Sequence, residues 1–289
     1  MTPGDSVGLA GRYVVLHEMR EASGDAIDSV LTDRGGQYLF LVQSPDVTAD
    51  YFVSVAHDDI GYFSNVLHLE GSGLDTVPTI VVFDTSYAGP EIRLRERHVV
   101  VRSEEPDGTR QVIELIVLRN DGRFTRIASD TSTPVWEGVL PPNAIQFAVG
   151  ESEVGAGAIY LREDRMAVAA PLPPGEKQLL VSYLVPRVAG SMHLPVDQPT
   201  HRLTVSLEDT TASMAGGVLE LRGIENVGGT RFKRYEGSDV AVGTPLNVQF
   251  DSAVLSLERL QLFFVVAVTL ALAGTLTWWL RKQRSASPP

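Results

Sequence analysis

The stretch YFVSVAH (51–57) sets Tyr51, Val53 and Val55 against Phe52, Ser54 and Ala56 in strict alternation. Side chains of a β-strand point to opposite faces with a period of two, so this run predicts a strand with one strongly buried face. Outward from it the same texture recurs. RYVVLH (12–17), QYLFLV (37–42), TIVVFD (79–84), QVIELIVL (111–118), AIQFAV (144–149), GAIYL (157–161), KQLLVSYLV (177–185), HRLTVSL (201–207), GVLEL (217–221) and PLNVQF (245–250) are short and rich in β-branched and aromatic residues. Turn-forming clusters separate them: DRGG (33–36), RNDGR (119–123), LPPN (140–143) and PLPPGEK (171–177). No segment before residue 250 keeps a helical apolar period. The expectation is a mainly β protein with two or three β-sandwich domains in tandem, followed by one C-terminal transmembrane helix.

The first boundary falls in LEGSGLDTVP (69–78), small and polar between two predicted strands. It divides residues 1–72 from a second sandwich region, 76–250. VPRVAGSMHLPVDQPT (185–200) is a weaker boundary, near 186–200. It either separates a third small sandwich or forms a long loop within the second.

Beyond residue 250 the texture changes. Leu260 to Leu280 carries no charge, and its length as a helix matches the hydrocarbon core of a bilayer, about 30 Å at 1.5 Å per residue. Residues 260–280 are therefore expected to cross a membrane. Trp278 and Trp279 fall where indole rings favour the headgroup level, and Arg281, Lys282 and Arg284 mark residues 281–289 as a cytoplasmic tail by the positive-inside rule. The body then lies outside, as in a single-pass protein of a bacterial inner (cell) membrane. Residues 1–20 show no basic segment followed by an apolar core, so no export signal is visible. Two explanations stay open: a reading frame that begins upstream of Met1, or a tail-anchored protein with its body in the cytoplasm.

The 289 residues carry 24 basic and 36 acidic side chains, a net charge of −12. Arg281, Lys282 and Arg284 are the charged residues after Arg259, so the body before them is three charges more acidic still. Such a body is repelled by phosphate backbones, and nucleic acid is not an expected partner. There is no cysteine, which removes disulfides, thiolate metal sites and thiol nucleophiles.

Residues 8–69 carry a further pattern. The strand GLAGRYVVLHE (8–18), the segment DSVLTDRGGQYLFLV (28–42) and the strand and turn YFVSVAHDDIGYFS (51–64) resemble the carboxypeptidase regulatory-like domain, a small transthyretin-like sandwich. The matching positions are Thr32, Asp33, Gly36, Tyr38 and Phe40. The resemblance covers about a fifth of the chain and implies an accessory, non-catalytic fold. It also implies an opening strand that residues 1–72 lack, of which SVGLAG (6–11) is the remnant. An upstream start would account for the missing strand and the missing export signal together.

Motifs for chemistry are sparse. HEMRE (17–21) lacks the second histidine of a helical zinc site, since Glu21 stands in its place. In AHDDIG (56–61), His57, Asp58 and Asp59 fall in a turn, where solvation is the expected role. EGSGL (70–74) does not have the spacing of a nucleophile elbow, and no glycine-rich loop opens a helix. One pattern stands out. In EIRLRERHVVV (91–101), Arg93, Arg95 and Arg97 alternate along a predicted strand, which would line three guanidinium groups on one face for a partner's carboxylates or phosphates. Solvent-facing ion pairs are the plainer expectation for such a stripe. No catalytic residue, metal or cofactor is expected. The function expected is a membrane-anchored, non-catalytic scaffold or binding module for an envelope protein complex. The alternative is a carbohydrate- or peptidoglycan-binding module, with Trp136, Tyr62, Phe63 and Tyr87 as candidate glycan platforms.

Overall fold

Alternation at residues 51–57 becomes a real strand. The computed structural model describes residues 6–20, 23–69, 71, 73–130, 132–186 and 190–250. In it Tyr51, Val53 and Val55 are buried, whereas Phe52, Ser54 and Ala56 are not. This strand is β3 (Asp50–His57), preceded by β1 (Tyr13–Arg20) and β2 (Ser23–Leu31) and followed by β4 (Ile60–Phe63). They form one antiparallel sheet in the order β2-β1-β3-β4, with Val14 opposite Val55 and Leu16 opposite Val53. The turn from β3 to β4 is two residues long, and Asp58 and Asp59 both take positive φ (49° and 63°). A two-residue hairpin favours this mirror-image turn, and aspartate tolerates it better than most side chains.

The second layer of this unit departs from expectation. QYLFLV (37–42) and TIVVFD (79–84) were expected as strands, yet neither enters a ladder; only Thr85 and Ser86 pair, as β5 (Thr85–Ser86). Both runs still alternate. Tyr38, Phe40, Val42, Ile80 and Val82 pack on the core of Val14, Leu16, Tyr51, Val53 and Val55, while Leu39, Leu41 and Val81 face outward. The extended conformation is encoded locally, but a ladder needs a neighbour, and among the described residues neither run has one.

The remaining strands are β6 (Arg93–Glu104), β7 (Arg110–Asn120), β8 (Thr125–Arg126), β9 (Trp136–Val139), β10 (Ile145–Val149), β11 (Ile159–Arg162), β12 (Arg165–Val168), β13 (Gly175–Val185), β14 (Ser191–Leu194), β15 (Thr200–Leu207), β16 (Ser213–Ala215), β17 (Glu220–Val227), β18 (Thr230–Val240) and β19 (Leu246–Gln249). Seven form one large sheet, β10-β13-β7-β6-β15-β18-β17, antiparallel except where β6 meets β15. Two three-stranded sheets, β11-β12-β9 and β14-β19-β16, contribute to the same core. Val99, Ile116, Val181 and Val205 from the large sheet share it with Trp136, Met166, Met192 and Val248. This is a sandwich-like packing of sheet on sheet. Each fully buried aliphatic side chain contributes about 1.5–3 kcal/mol relative to exposure. Within the expected boundary segment, β14 contributes Met192 and Leu194 to this core. GVLEL (217–221), expected as a strand, enters one only at Glu220: Gly216 and Gly217 before it take φ of 119° and 69°. The two units meet where β5 runs parallel to β8, and the Tyr62 hydroxyl lies 2.7 Å from the buried Thr125 Oγ1.

Among the described residues no helix is long and apolar enough to cross a membrane. Residues 260–280, Trp278, Trp279, Arg281, Lys282 and Arg284 lie outside the described residues.

Candidate functional site

The first unit holds a cavity of about 1060 Å³. Its floor is the inner face of the four-stranded sheet, where Val14 and Leu16 from β1 and Val53 and Val55 from β3 are already buried beneath the walls. Its walls are the two unpaired runs, through Tyr38, Phe40 and Val42 on one and Val77, Ile80 and Val82 on the other. Ser6, Val7, Gly8 and Leu9 also line the space. These residues are held against the 32–36 turn: Thr32 Oγ1 donates to the Leu9 carbonyl at 2.6 Å, and Gly11 N–H donates to the Thr32 carbonyl at 3.0 Å. Gly8 must lack a side chain here, because a Cβ would stand 2.0 Å from the Gly35 carbonyl oxygen. Tyr38 stacks edge-on against Phe40 with ring centroids 5.8 Å apart. The Tyr38 hydroxyl is buried with no partner, and desolvation raises its pKa. Polar side chains share the lining with these apolar and aromatic ones, among them Arg12, Thr32, Asp75 and Asp84.

At one side of the floor, His57 Nε2 lies 2.8 Å from Asp84 Oδ1 and 4.0 Å from Asp58 Oδ1. Asp58 Oδ2 accepts from the Thr85 backbone N–H at 3.1 Å. The turn expected to present His57, Asp58 and Asp59 thus gathers His57, Asp58 and the sequence-distant Asp84, within 4.8 Å of one another. His57 Nδ1 is buried without a partner. A metal-bound imidazole normally donates its second N–H to an acceptor, so the group lacks the outer support of a metal site. What the geometry provides is a hydrogen bond that ties β3 to the 79–84 wall.

The arginine stripe does not form. Between Leu94 and Glu96 the register of β6 against β7 shifts, leaving Arg95 as an extra residue. A bulge of this kind turns the alternation over. Arg93 and Arg95 stay outside, within 3.5 Å of Asp121 and 3.9 Å of Glu176 respectively. Arg97 turns inward and is only 6% exposed. Its Nε and Nη2 donate to the two carboxylate oxygens of Glu114 at 2.7 and 2.8 Å, and its Nη1 donates to the Pro195 carbonyl at 2.6 Å. The Tyr183 hydroxyl donates to Glu114 as well. Burial opposes the charge on Arg97, but the Glu114 carboxylate outweighs it and holds the guanidinium pKa above its ordinary value. Burial, then the Glu114 charge, push the Tyr183 phenol well above its usual range.

Two of the four candidate glycan platforms are core residues. Trp136 is buried and donates from Nε1 to Gln198 Oε1 at 2.8 Å, and Tyr62 lies between the units. Phe63 and Tyr87 are exposed. In HEMRE, His17 stacks on Phe52 with centroids 4.6 Å apart and meets Ser54 Oγ at 2.8 Å, while Glu21 lies outside the described residues. The cavity itself was not legible beforehand, since its walls were expected to be paired strands.

No family model matches the chain, and no curated protein matches it. Among solved structures it is similar to a two-domain M1 zinc metallopeptidase mutant bound to L-tryptophan, at 14% identity and a TM-score of 0.36, over 57% of this chain. The likeness spans 44% of that metallopeptidase.

Proposed function

We propose that this protein is a non-catalytic scaffold or binding module of a bacterial envelope complex, held at the membrane by residues 260–280 with its body extracytoplasmic. The observation that carries the binding role is the open cavity of the first unit, bounded on two sides by extended runs with no ladder partner among the described residues. A space of this size, open to solvent and lined by both apolar and polar groups, suits recognition of a partner. The likeness of residues 8–69 to an accessory sandwich domain supports the same reading. The anchoring rests on the uncharged 21-residue run, its terminal Trp278 and Trp279, and the basic cluster after them.

A photoreactive residue placed at Leu39, on the rim of the cavity, tests the role in cells. The expected result is a defined protein cross-link from Leu39 that is absent from the same probe at Tyr87. Cross-links equal at both positions, or retention of the protein on cell-wall glycan with no protein partner, would overturn it. A reporter active only outside the cytoplasm and fused after Pro289 is expected to be silent; an active reporter would reverse the orientation.

A further inference from the structure

Most arginines of the second unit are held by its many carboxylates. Arg102 meets Glu208 at 2.6 Å, Arg119 meets Glu176 at 2.9 Å, and Arg165 meets Asp197 at 2.9 Å. Arg12 and Arg123 are exceptions. Both line the cavity of the first unit, both are exposed, and among the described residues neither guanidinium has an ion-pair or hydrogen-bond partner. The register puts them at one end of the cavity. Val14 of β1 lies opposite Val55 of β3, so Arg12 stands at the His57 end of the sheet. His57 meets Asp84, the Asp84 carbonyl accepts from the Thr125 N–H at 2.9 Å, and Arg123 shortly precedes Thr125. Unpaired cations, one from each unit, therefore flank the end of the cavity where the units meet.

The acids of the same lining do not pair with them. Asp84 is engaged by His57 at 2.8 Å, and Asp75 precedes the other end of the 77–84 wall, about 25 Å away along an extended run. Around the cations the rim is apolar: Leu9, Leu39, Val81 and Phe124 line the space and remain exposed. Grouped exposed apolar side chains mark interaction sites, and arginine and aromatic residues are enriched at protein interfaces. A guanidinium offers a planar fork of donors that matches a carboxylate. The chemistry of the partner follows: apolar side chains to cover the rim and a carboxylate to meet the cations. The rim alone makes these contacts, so the floor stays covered by the walls. An anionic lipid surface offers the same two features but brings many charges at once, and the acidic body is repelled by it.

We infer that the cavity rim at the junction of the two units docks an acidic, apolar segment of a partner protein. Arg12 and Arg123 take its carboxylate, and its apolar side chains cover Leu9, Leu39, Val81 and Phe124. The inference rests on the binding-module reading and names the chemistry of its partner.

The test uses the full chain in nanodiscs of neutral phosphatidylcholine and a labelled nine-residue peptide of leucine, serine and glutamate, blocked at both ends. A second probe carries glutamine at each glutamate, which keeps the shape and removes the charge. Fluorescence anisotropy is expected to show saturable, one-to-one binding of the glutamate probe and about tenfold weaker binding of the glutamine probe. Arg12→Gln with Arg123→Gln should bring the glutamate probe down to the level of the glutamine probe and leave the thermal midpoint unchanged, since neither side chain has a partner to lose. Arg93→Gln with Arg95→Gln should leave both probes as in the parent. Equal binding of the two probes, binding of neither, or an equal loss from both arginine pairs would overturn the inference. Tighter binding of dihexanoylphosphatidylglycerol than of the glutamate probe, read by competition, would make the occupant a lipid and overturn it as well. If the Leu39 cross-linker captures a protein and the capture survives Arg12→Gln with Arg123→Gln, the binding module stands and the carboxylate site falls. If the glutamate probe binds as expected and Leu39 captures nothing in cells, the site stands and its place in an envelope complex falls.

Discussion

Glu114 stands at an inward position of β7, between Val112 and Ile116, where a strand would otherwise place an aliphatic side chain. It is 1% exposed, and its charge is tolerated because Arg97, from the adjacent β6, meets both of its oxygens. Removing one partner leaves the other as a buried charge, which costs about 3–5 kcal/mol. Arg97→Met and Glu114→Leu should each destabilise the second unit by that amount. At roughly 2–4 °C per kcal/mol for a unit of this size, the midpoint falls by about 6–20 °C. Replacing both partners removes the two charges together but leaves the Tyr183 hydroxyl and the Pro195 carbonyl without their partners, so the double variant should lose only about 1–3 kcal/mol, well under the two singles summed. The coupling between the two positions is then at least about 3 kcal/mol, far outside the additivity expected of independent sites. Urea unfolding followed by Trp136 emission reads this out, because Trp136 is buried in the same core. Changing Trp278 and Trp279 to Phe leaves Trp136 as the sole tryptophan. Single variants that lose less than about 1 kcal/mol, or a double variant as unstable as the sum of the singles, would refute the reasoning.

Further outcomes follow from other sites. Arg93→Gln with Arg95→Gln should shift stability by no more than about 0.5 kcal/mol, because their carboxylate partners are solvent-accessible; a loss like that of Arg97→Met would return them to the core. Gly8→Ala places a Cβ 2.0 Å from the Gly35 carbonyl oxygen and should cost the first unit about 1–3 kcal/mol by hydrogen exchange. Gly11→Ala, at φ 69° with nothing within 4 Å, should show only the backbone cost of about 1–2 kcal/mol; a harmless Gly8→Ala would mean that residues 6–9 do not sit against the 35–36 turn. Side-chain and backbone donors of Ser132, then Thr133, hold the Asp130 carboxyl at a pKa of about 2, below the ordinary 3.8. Because the folded value is depressed, the turn's contribution is complete above pH 3.8 and is lost as pH falls through about 2. Carbon-detected titration should find that midpoint low in the parent and raised in Ser132→Ala, and a parent midpoint at 3.8 would contradict the hydrogen bonding.

Strand texture was legible residue by residue. The alternation of Tyr51, Val53 and Val55 predicted β3 and its buried face, and runs such as KQLLVSYLV and HRLTVSL became β13 and β15. Short strands were not legible. WEGV, RMAV and SMHL have four residues each, too few to establish a period, and gain their pairing only from the sheets they join. The hairpin of β17 and β18 reads as polar chain because most of β17 is exposed on both faces.

Composition and period thus determined, from the sequence alone, that residues 6–250 would be built from strands with apolar faces, since both properties are local to a few neighbouring side chains. Which strands become neighbours is not local, and that is what the tertiary structure decided. The bulge at Arg95 exists only in the register of β6 against β7, and it sends Arg97 to Glu114 instead of to solvent. Asp84 reaches His57 across 27 residues of sequence. Residues 37–42 and 79–84 carry every mark of strands but end as open walls, because a ladder requires a second backbone at about 4.8 Å and nothing in a run's own side chains records whether one will be there.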